Sequence, residues 1–488
     1  MQSGPSTSDT RATAARLRRI ADLPGPRGLP LLGNALQVQS SRMHQIVEQW
    51  SRVHGEYFRI RIASREMLVV ANGESIAAIL RDRPDTFQRT PRLSAMAQAS
   101  GFGGVFSSNG QAWRRQRPMV MASFDPAHIK SYFPTLVKVT ERFARRWQRA
   151  ARAGAAIDLQ ADLMRYTVDV TAGLAFGADI NTLESDREVI QQHLDKVLPA
   201  LFKRLMAPFD YWRYIRLPAD RAFDRHLTAL RAAVEGFIAQ ARDRISADPS
   251  LRERPTNLIE AMIVARDAAG SELTDADVSG NVFTMLLAGE DTTANTLAWL
   301  IWLLARHPEA ARRARDEVRA ALGPAGVPQT LEQCSTLDYV EACVHETMRL
   351  KPVAPIILQH TLRDTVVADI DVPAGSLLMC LMRPPSVDAR QFPQPEAFKP
   401  ERWLAGANPG QAASSAKRVS MPFGAGPRIC PGRYLALLEM KMVTGMLLGG
   451  FEIESVSTED GAEVREHLAL TMAPVGLRLK LQAIARQA

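Results

Sequence analysis

Apolar positions recur along most of the chain at the spacing of a helix, and only short stretches alternate as a strand does. The helical stretches are 126–245, 274–306, 308–322 and 337–350, and the strand-like ones are 56–62, 67–71 and 477–481. A proline-rich segment, 23–30, cannot be helical and follows a polar opening. The pattern therefore predicts mostly helices, with a short pair of strands near the start of the chain and one strand near its end.

Length and composition allow a large hydrophobic core without marking a domain boundary. The chain has 488 residues, 46% of them hydrophobic. Length alone suggests about two to four domains. No shift in composition divides the chain, and the one segment set apart is the polar opening, 1–20, which we expect to be a disordered tail.

The charge balance and the cysteines exclude several classes of protein. A net charge of +8, from 60 basic and 52 acidic residues, is too small and too dispersed for nucleic-acid binding but compatible with a basic docking face. Four cysteines without paired spacing give no disulfide framework and indicate a reducing, cytoplasmic location. No stretch is long and apolar enough for a signal peptide or a membrane span. Three cysteines are expected to be buried and structural: Cys334, Cys343 and Cys380.

Cys430 stands apart from the other cysteines because it lies between a glycine-rich turn and a helix. The segment 423–432 supplies the turn, and the helix is expected to begin near Pro431, which suits a first helical position. Unpaired N–H groups and partial positive charge at a helix N-terminus stabilise a thiolate. Such a thiolate serves as a nucleophile, a redox group or a metal ligand. The residues next to Cys430 do not by themselves decide among these three roles.

The long helix predicted over 274–306 carries residues that a purely structural helix has little reason to combine. Gly289, Asp291 and Thr292 are poor helix formers inside an otherwise apolar run. A threonine that bonds back to the carbonyl one turn earlier bends a helix locally and makes room for a ligand and water. The helix is therefore predicted to line a site as well as a core.

The residues around Cys430 resemble the heme-binding loop of the cytochrome P450 family. Its pattern, F-x-x-G-x-R-x-C-x-G, is matched by Phe423, Gly426, Arg428, Cys430 and Gly432. The resemblance implies a single, mainly α heme domain with small β-sheets over 21–488, holding heme b (iron protoporphyrin IX) with the Cys430 thiolate as axial ligand of the metal. It also implies that Phe423 and Gly432 contact the cofactor and that Arg428 binds a heme propionate.

The interrupted helix resembles the family's A/G-G-x-D/E-T motif, here Ala288-Gly289-Glu290-Asp291-Thr292. The resemblance implies that this stretch crosses the distal side of the heme, with Ala288 against the cofactor. Thr292 would hydrogen-bond dioxygen and water, and Asp291 would help to bring in protons. These roles suit the chemistry, because heterolytic cleavage of the O–O bond needs protons and is favoured by a thiolate ligand.

Two further motifs resemble the family's heme cradle. Trp113 and Arg117 match W-x-x-x-R and would reach a propionate, which suits the paired hydrogen bonds of a guanidinium. Glu346 and Arg349 match E-x-x-R, and Arg402 lies in a segment similar to P-E-R-F. The resemblance implies that these last three form a buried charge network with a folding role.

The chain departs from the family pattern at two places. A position after E-x-x-R, where an arginine commonly contacts a propionate, is Gln359, followed by His360, and the sequence does not decide between them. The usual histidine–arginine–aspartate–proline run is altered over 384–390.

The resemblance implies a heme-thiolate monooxygenase, which inserts one atom of dioxygen into an organic substrate. Electrons are expected from a separate ferredoxin or flavodoxin with its reductase. The candidate basic docking residues on the proximal side are Arg114, Arg115, Lys417, Arg418, Arg433 and Lys441. The alternatives are a peroxygenase driven by hydrogen peroxide and a non-catalytic heme sensor or ligand-binding protein, in which the pair Asp291 and Thr292 would be superfluous.

The segments that would line a substrate pocket are mostly apolar: 93–106, 201–209, 285–288, 353–358 and 470–475. They predict a hydrophobic substrate such as a fatty acid, a terpenoid or a steroid-like compound. Their large side chains include Phe102, Phe106, Phe202, Met206, Phe209 and Met472. Three arginines are candidates to hold a substrate carboxylate: Arg89, Arg92 and Arg204.

Overall fold

A computed structural model describes residues 17–184, 189–207, 209–323, 326–404 and 413–484. Helices dominate these residues, as predicted. They are α1 (Met43–His54), α2 (Gly73–Arg81), α3 (Pro91–Ala99), α4 (Gly110–Ser123), α5 (Pro126–Arg152), α6 (Leu159–Phe176), α7 (Val189–Met206), α8 (Pro218–Ala247), α9 (Leu258–Asp267), α10 (Asp275–Arg306), α11 (Pro308–Leu322), α12 (Leu331–Ser335), α13 (Asp338–Leu350), α14 (Arg383–Ser386), α15 (Ala413–Ser420) and α16 (Arg433–Gly450).

The strands form small sheets at the edge of the helical body. They are β1 (Arg18–Arg19), β2 (Tyr57–Ile62), β3 (Arg65–Val70), β4 (Phe87–Gln88), β5 (Ile157–Asp158), β6 (Ile356–Thr361), β7 (Thr365–Val367), β8 (Ile370–Val372), β9 (Leu377–Leu381), β10 (Phe451–Thr458), β11 (Glu466–Leu468), β12 (Met472–Pro474) and β13 (Leu477–Ala483). The largest sheet has the order β2-β3-β9-β6-β4, and the others are β1-β8-β7, β10-β13-β5 and the hairpin β11-β12.

Helix α10 runs through the core and organises the helices around it. It begins with a capping box, in which the Thr274 hydroxyl accepts from the Asp277 N–H at 3.1 Å and the Asp277 carboxylate accepts from the Thr274 N–H at 2.9 Å. It packs against α6, α13 and α16. A Cβ at Gly289 would lie 2.5 Å from Thr171 Oγ1, so this glycine permits the close crossing of α6. The close packing of α6 against α10 therefore explains why a glycine stands at position 289.

The folded domain begins earlier than predicted. Arg18 and Arg19 pair in parallel with Ile370 and Asp371, and the Arg18 guanidinium donates to the Asp369 carboxylate at 2.7 Å. Residues 17–20 therefore belong to the domain and not to a disordered tail, because a distant strand supplies their backbone partners. The rest of the predicted tail, 1–16, lies outside the described residues.

Candidate active site

The turn before Cys430 has a backbone that its glycines make possible. Gly426 has φ +69°, and a Cβ there would lie 2.6 Å from Arg81 Cα, so no other residue fits without displacing α2. The Cys430 N–H donates to the Phe423 carbonyl at 2.9 Å and closes the loop. The loop therefore fixes the position of the cysteine through its own backbone.

Helix α16 follows the cysteine closely, but it starts two residues later than Pro431. Gly432 is its N-cap, because the Gly432 carbonyl accepts the first helical hydrogen bond, from the Ala436 N–H at 2.9 Å. The Cys430 side chain is partly accessible. Burial raises the pKa of its thiol, while a backbone N–H of Gly432 and the charges of Arg117 and Arg433 oppose that rise. These groups favour a thiolate.

The middle of α10 shows the back-bonding predicted for Thr292. The Thr292 hydroxyl donates to the Ala288 carbonyl, and the Thr296 hydroxyl donates to the Thr292 carbonyl, both at 2.8 Å. Ala288 is exposed and Thr292 partly exposed, on a helix that is otherwise largely buried. This stretch, in the middle of α10, is therefore accessible to a ligand and to water.

Asp291 is held by Thr471, which is distant in the sequence, and by Asn295, which lies one turn further along α10. Its carboxylate accepts from the Thr471 hydroxyl, in the turn between β11 and β12, and from the Asn295 amide at 2.8 Å. The Asn295 carbonyl oxygen in turn accepts from the Gln160 amide at 2.9 Å. Burial raises the pKa of Asp291, and the hydrogen bonds from Thr471 and Asn295 counteract that rise. Of these partners, only Thr471 lies in a segment predicted to line the substrate pocket.

Four guanidinium groups gather beside the Cys430 loop, and none forms a salt bridge with a described carboxylate. Burial, together with the neighbouring positive charges, lowers the pKa of Arg83 and Arg428 to about 9. Burial alone lowers the pKa of Arg89 to about 10. The pKa of Arg117 is also lowered, chiefly by burial. Such a cluster of uncompensated cations is costly unless an anion neutralises it.

The cluster fits the carboxylates of a heme. The Arg428 guanidinium lies 4.8 Å from the centroid of the Trp113 ring, and it donates to the Ser108 carbonyl at 2.5 Å. Arg117 donates to the Ile429 carbonyl at 2.5 Å. The Nε atoms of Arg428 and Arg89 are buried without a hydrogen-bond partner among the described residues. The site therefore offers donors for two propionates next to a cysteine that can ligate iron.

Comparison with known proteins decides the family. A family model described as Cytochrome P450 matches residues 23–481. The chain belongs to the cytochrome P450 family. Pentalenene oxygenase of Streptomyces avermitilis is 26% identical to it, over 94% of this chain and 96% of the relative. Cyclooctat-9-en-7-ol 5-monooxygenase of Streptomyces melanosporofaciens is 27% identical, over 88% and 89%.

The fold agrees with that membership. The crystal structure of the cytochrome P450DA heme domain superimposes with a TM-score of 0.82, over 96% of this chain and 99% of that one, at 22% identity. As a cytochrome P450, the protein is a heme-thiolate monooxygenase whose heme iron is ligated by a cysteine, which confirms the predicted fold class, cofactor and enzyme class. None of the described helices is long and apolar enough to cross a membrane.

The predicted charge network of this cytochrome P450 is assembled from α13 and the segment Pro400–Trp403. Glu346 accepts two hydrogen bonds from Arg349, both at 2.8 Å, and one from Arg402 at 3.3 Å. The indole N–H of Trp403, where the family has phenylalanine, adds a bond to Glu346 at 2.9 Å. Arg349 also donates to the Ser386 carbonyl at 2.8 Å, so the altered run 384–390 still supplies a backbone acceptor.

Gln359 and His360 are neighbours on β6, and they differ in their exposure to solvent. Gln359 is fully buried, and its Nε2 donates to the carbonyl of its neighbour Leu358 at 2.7 Å, so it offers no surface to a cofactor. His360 is partly accessible, its Nδ1 has no described partner, and it pairs in the sheet with Gln88, the residue before Arg89. Arg89, which belongs to none of the sequence motifs and was a candidate only for a substrate carboxylate, is the guanidinium that the structure supplies near this strand.

Several residues proposed from the sequence to line the substrate pocket belong to the core instead. Phe102 is buried and stacks on Phe283 with ring centroids 5.2 Å apart, and Phe202 and Met472 are also buried. Phe106, Met206 and Phe209 keep accessible surface. Two of the three candidate arginines are already paired: Arg92 with Asp210 and Arg204 with Asp220.

Arg89→Gln is expected to make heme dissociate about tenfold faster, because it removes a charged donor to a propionate. The measurement is the rate of heme transfer to an excess of a heme-scavenging globin. Arg92→Gln is the matched control, since Arg92 lies outside the four-guanidinium cluster and pairs with Asp210. Equal transfer rates for the two variants would remove Arg89 from the heme site.

Thr471→Val is expected to move the alkaline limb of the pH–rate profile upward by about one pH unit, because the rate falls as Asp291 loses the proton that it delivers. The change removes a donor that favours the ionised form of Asp291, so its carboxyl group would hold its proton to a higher pH. Thr471→Ser keeps the hydroxyl and should retain the wild-type profile. Identical profiles for the valine and serine variants would show that Asp291 does not depend on this hydrogen bond.

Proposed function

We propose that Cys430 is the axial ligand of heme b in this monooxygenase and that the four-guanidinium cluster binds the heme propionates. The observation that carries the proposal is this cluster, formed by Arg83, Arg89, Arg117 and Arg428 beside the Cys430 loop without a described carboxylate. Trp113, Phe423, Gly432 and Ala288 would contact the porphyrin. The heme, when bound, supplies the activation of dioxygen for insertion into a C–H bond.

Asp291 and Thr292 are proposed to bring protons to the distal side. Asp291 is a partly buried acid whose pKa is raised by burial, so it holds a proton closer to neutral pH than an exposed aspartate does. Its hydrogen bonds to Thr471 and Asn295 fix its direction. The Thr292 hydroxyl, bonded to the Ala288 carbonyl, can exchange that bond for water or dioxygen. This arrangement favours a monooxygenase, which must activate dioxygen with delivered protons. A peroxygenase does not need to activate dioxygen, and a sensor needs no proton delivery.

The substrate is proposed to be a mostly apolar molecule. Phe106, Met206 and Phe209 give the predicted pocket segments accessible apolar surface. Two relatives are named for acting on pentalenene and on 25-hydroxyvitamin D. A panel of fatty acids, terpenoids and steroid-like compounds, screened by the shift of the heme absorption on binding, would identify the class.

The electron donor is proposed to be an acidic ferredoxin or flavodoxin. Four of the six candidate docking residues have a carboxylate partner. Lys441 is buried against Glu341 at 2.6 Å, and Arg115 pairs with Asp277 at 3.2 Å. Arg114 pairs with Asp85, and Lys417 lies 3.9 Å from Glu341, but both keep about half of their side-chain surface exposed. The docking residues that remain are therefore Arg114, Lys417, Arg418 and Arg433. Four free thiols among the described residues support a reducing location, which we propose to be the cytoplasm.

Isotope labelling tests the proposed function. The protein is combined with a ferredoxin, its reductase and NAD(P)H, together with a substrate from the panel, under labelled molecular oxygen. One labelled oxygen atom in the product, with a yield lowered by added salt, is expected. Product that takes its oxygen only from added hydrogen peroxide would favour the peroxygenase, and binding without any product would favour the sensor.

A further inference from the structure

A cavity of about 470 Å³ lies near the C-terminal end of α10. It is bordered by α1, the ends of α10 and α13, and α14, it opens to solvent on one side, and its described lining includes none of the residues proposed to hold the heme. Trp302 on its wall is ten residues beyond Thr292, which is about 15 Å along the helix axis. Its volume is within the range of small-molecule sites, roughly 300–1,000 Å³. The cavity is therefore distinct from the heme site and large enough for a ligand.

The wall of this cavity is apolar and aromatic on one side. Trp302, Leu303 and Leu350 supply it, with Val387 from the segment after α14. Pockets of this composition bind the body of a ligand by burying its apolar surface, while a few polar groups fix its orientation. The lining thus favours a ligand with a flat apolar portion.

The remaining lining is strongly cationic. Arg52, Arg306, Lys351 and Arg383 line the cavity, against the carboxylates of Glu48 and Glu396. Glu466, behind the wall, pairs with Lys351 and Arg383, both at 2.7 Å. The charges of Lys351 and Arg383 are therefore neutralised by carboxylates of the protein, and these two side chains form the floor of the cavity.

The two guanidiniums at the rim differ from those at the floor. Arg52 and Arg306 have exposed side chains and no salt bridge with any carboxylate in the described part of the chain. The Arg306 guanidinium lies 5.1 Å from the centroid of the Trp302 ring, which holds it at the edge of the apolar wall. A guanidinium held in this way binds a carboxylate with paired hydrogen bonds and little loss of freedom.

We infer that this cavity binds a small aromatic carboxylate, with its ring against Trp302 and its carboxylate between Arg306 and Arg52. The site goes beyond the oxygen chemistry of the protein and needs no residue of the heme site. An uncharged aromatic molecule would leave both rim guanidiniums without a partner and would bind more weakly.

Calorimetric titration of the heme-loaded protein with 2-naphthoate tests the inference. The heme pocket is first filled with a bulky azole that ligates the iron, so that only binding elsewhere is recorded. We expect one molecule of 2-naphthoate per chain, bound about tenfold more tightly than 2-naphthalenemethanol. Naphthoate binding that disappears when the azole is present, or equal affinity for the alcohol, would overturn the inference.

Substitution of the two rim arginines, Arg306 and Arg52, is the second test of the inference. Arg306→Gln and Arg52→Gln alter exposed side chains that form no salt bridge with a described residue, and each is expected to weaken naphthoate binding about tenfold. Arg312→Gln, on α11 outside the cavity lining, removes the same charge and should leave the affinity unchanged. An affinity that is the same in all three variants would also overturn the inference.

Discussion

Glu346→Gln is expected to lower the free energy of unfolding by about 3–5 kcal/mol, the largest stability effect of any single substitution proposed for this protein. Glu346 and Arg349 are fully buried, and Arg402 and Trp403 are nearly so. The glutamine keeps the size of the side chain but leaves both guanidiniums without their counter-charge. Its amide can replace one accepted bond and cannot replace the bonds that Arg349 donates to both carboxylate oxygens.

Urea unfolding of the heme-loaded protein, followed by circular dichroism, measures this change. Glu401→Gln is the matched control, because Glu401 lies in the same segment but is half exposed and pairs with Arg313 at 3.1 Å. Such a surface pair contributes about 0–1 kcal/mol. Similar losses in the two variants would mean that the buried network has no special part in the stability of the fold.

Asp291→Asn is expected to lower product formation by a factor of about 100 or more, the usual loss when a positioned acid is removed. Asparagine has nearly the same shape and can still accept the hydrogen bond from Thr471, but its amide N–H groups are too weakly acidic to deliver a proton. Heme and substrate binding should therefore remain, while reducing equivalents pass to peroxide and water.

The measurement is the ratio of product formed to NAD(P)H consumed, with peroxide assayed in parallel. Asp275→Asn is a suitable control, since Asp275 opens the same helix on an exposed face. A ratio that matches the wild type in Asp291→Asn would rule out proton delivery by this residue, and the network around Thr471 would then have only a structural role.

The local parts of this molecule followed from the sequence because neighbouring residues determine them. The capping box at Thr274 and Asp277 set the start of α10, and Pro308 the start of α11, within a residue. The Cys430 loop could be recognised because its residues are contiguous. Helix α16 was placed two residues early, since Pro431 suits a helical start and only the backbone shows that Gly432 is the cap.

The long-range contacts did not follow from the sequence. Thr471 and Asp291 are 180 residues apart, and no local pattern relates a turn in a β-hairpin to a carboxylate on a helix. Lys441 was assigned to the surface because of its charge, whereas Glu341 on another helix allows it to be buried. A single sequence shows which residues can pair, but tertiary packing decides which of them meet.

The absorption spectrum of the reduced protein with carbon monoxide tests most directly whether Cys430 holds the heme. The wild-type protein should give the Soret band of a thiolate-ligated heme. Cys430→His should retain heme and lose that band, while Cys334→Ala, which alters a buried thiol elsewhere, should keep it. A thiolate-type band that persists in Cys430→His would contradict the assignment of the axial ligand and, with it, the site built around that cysteine.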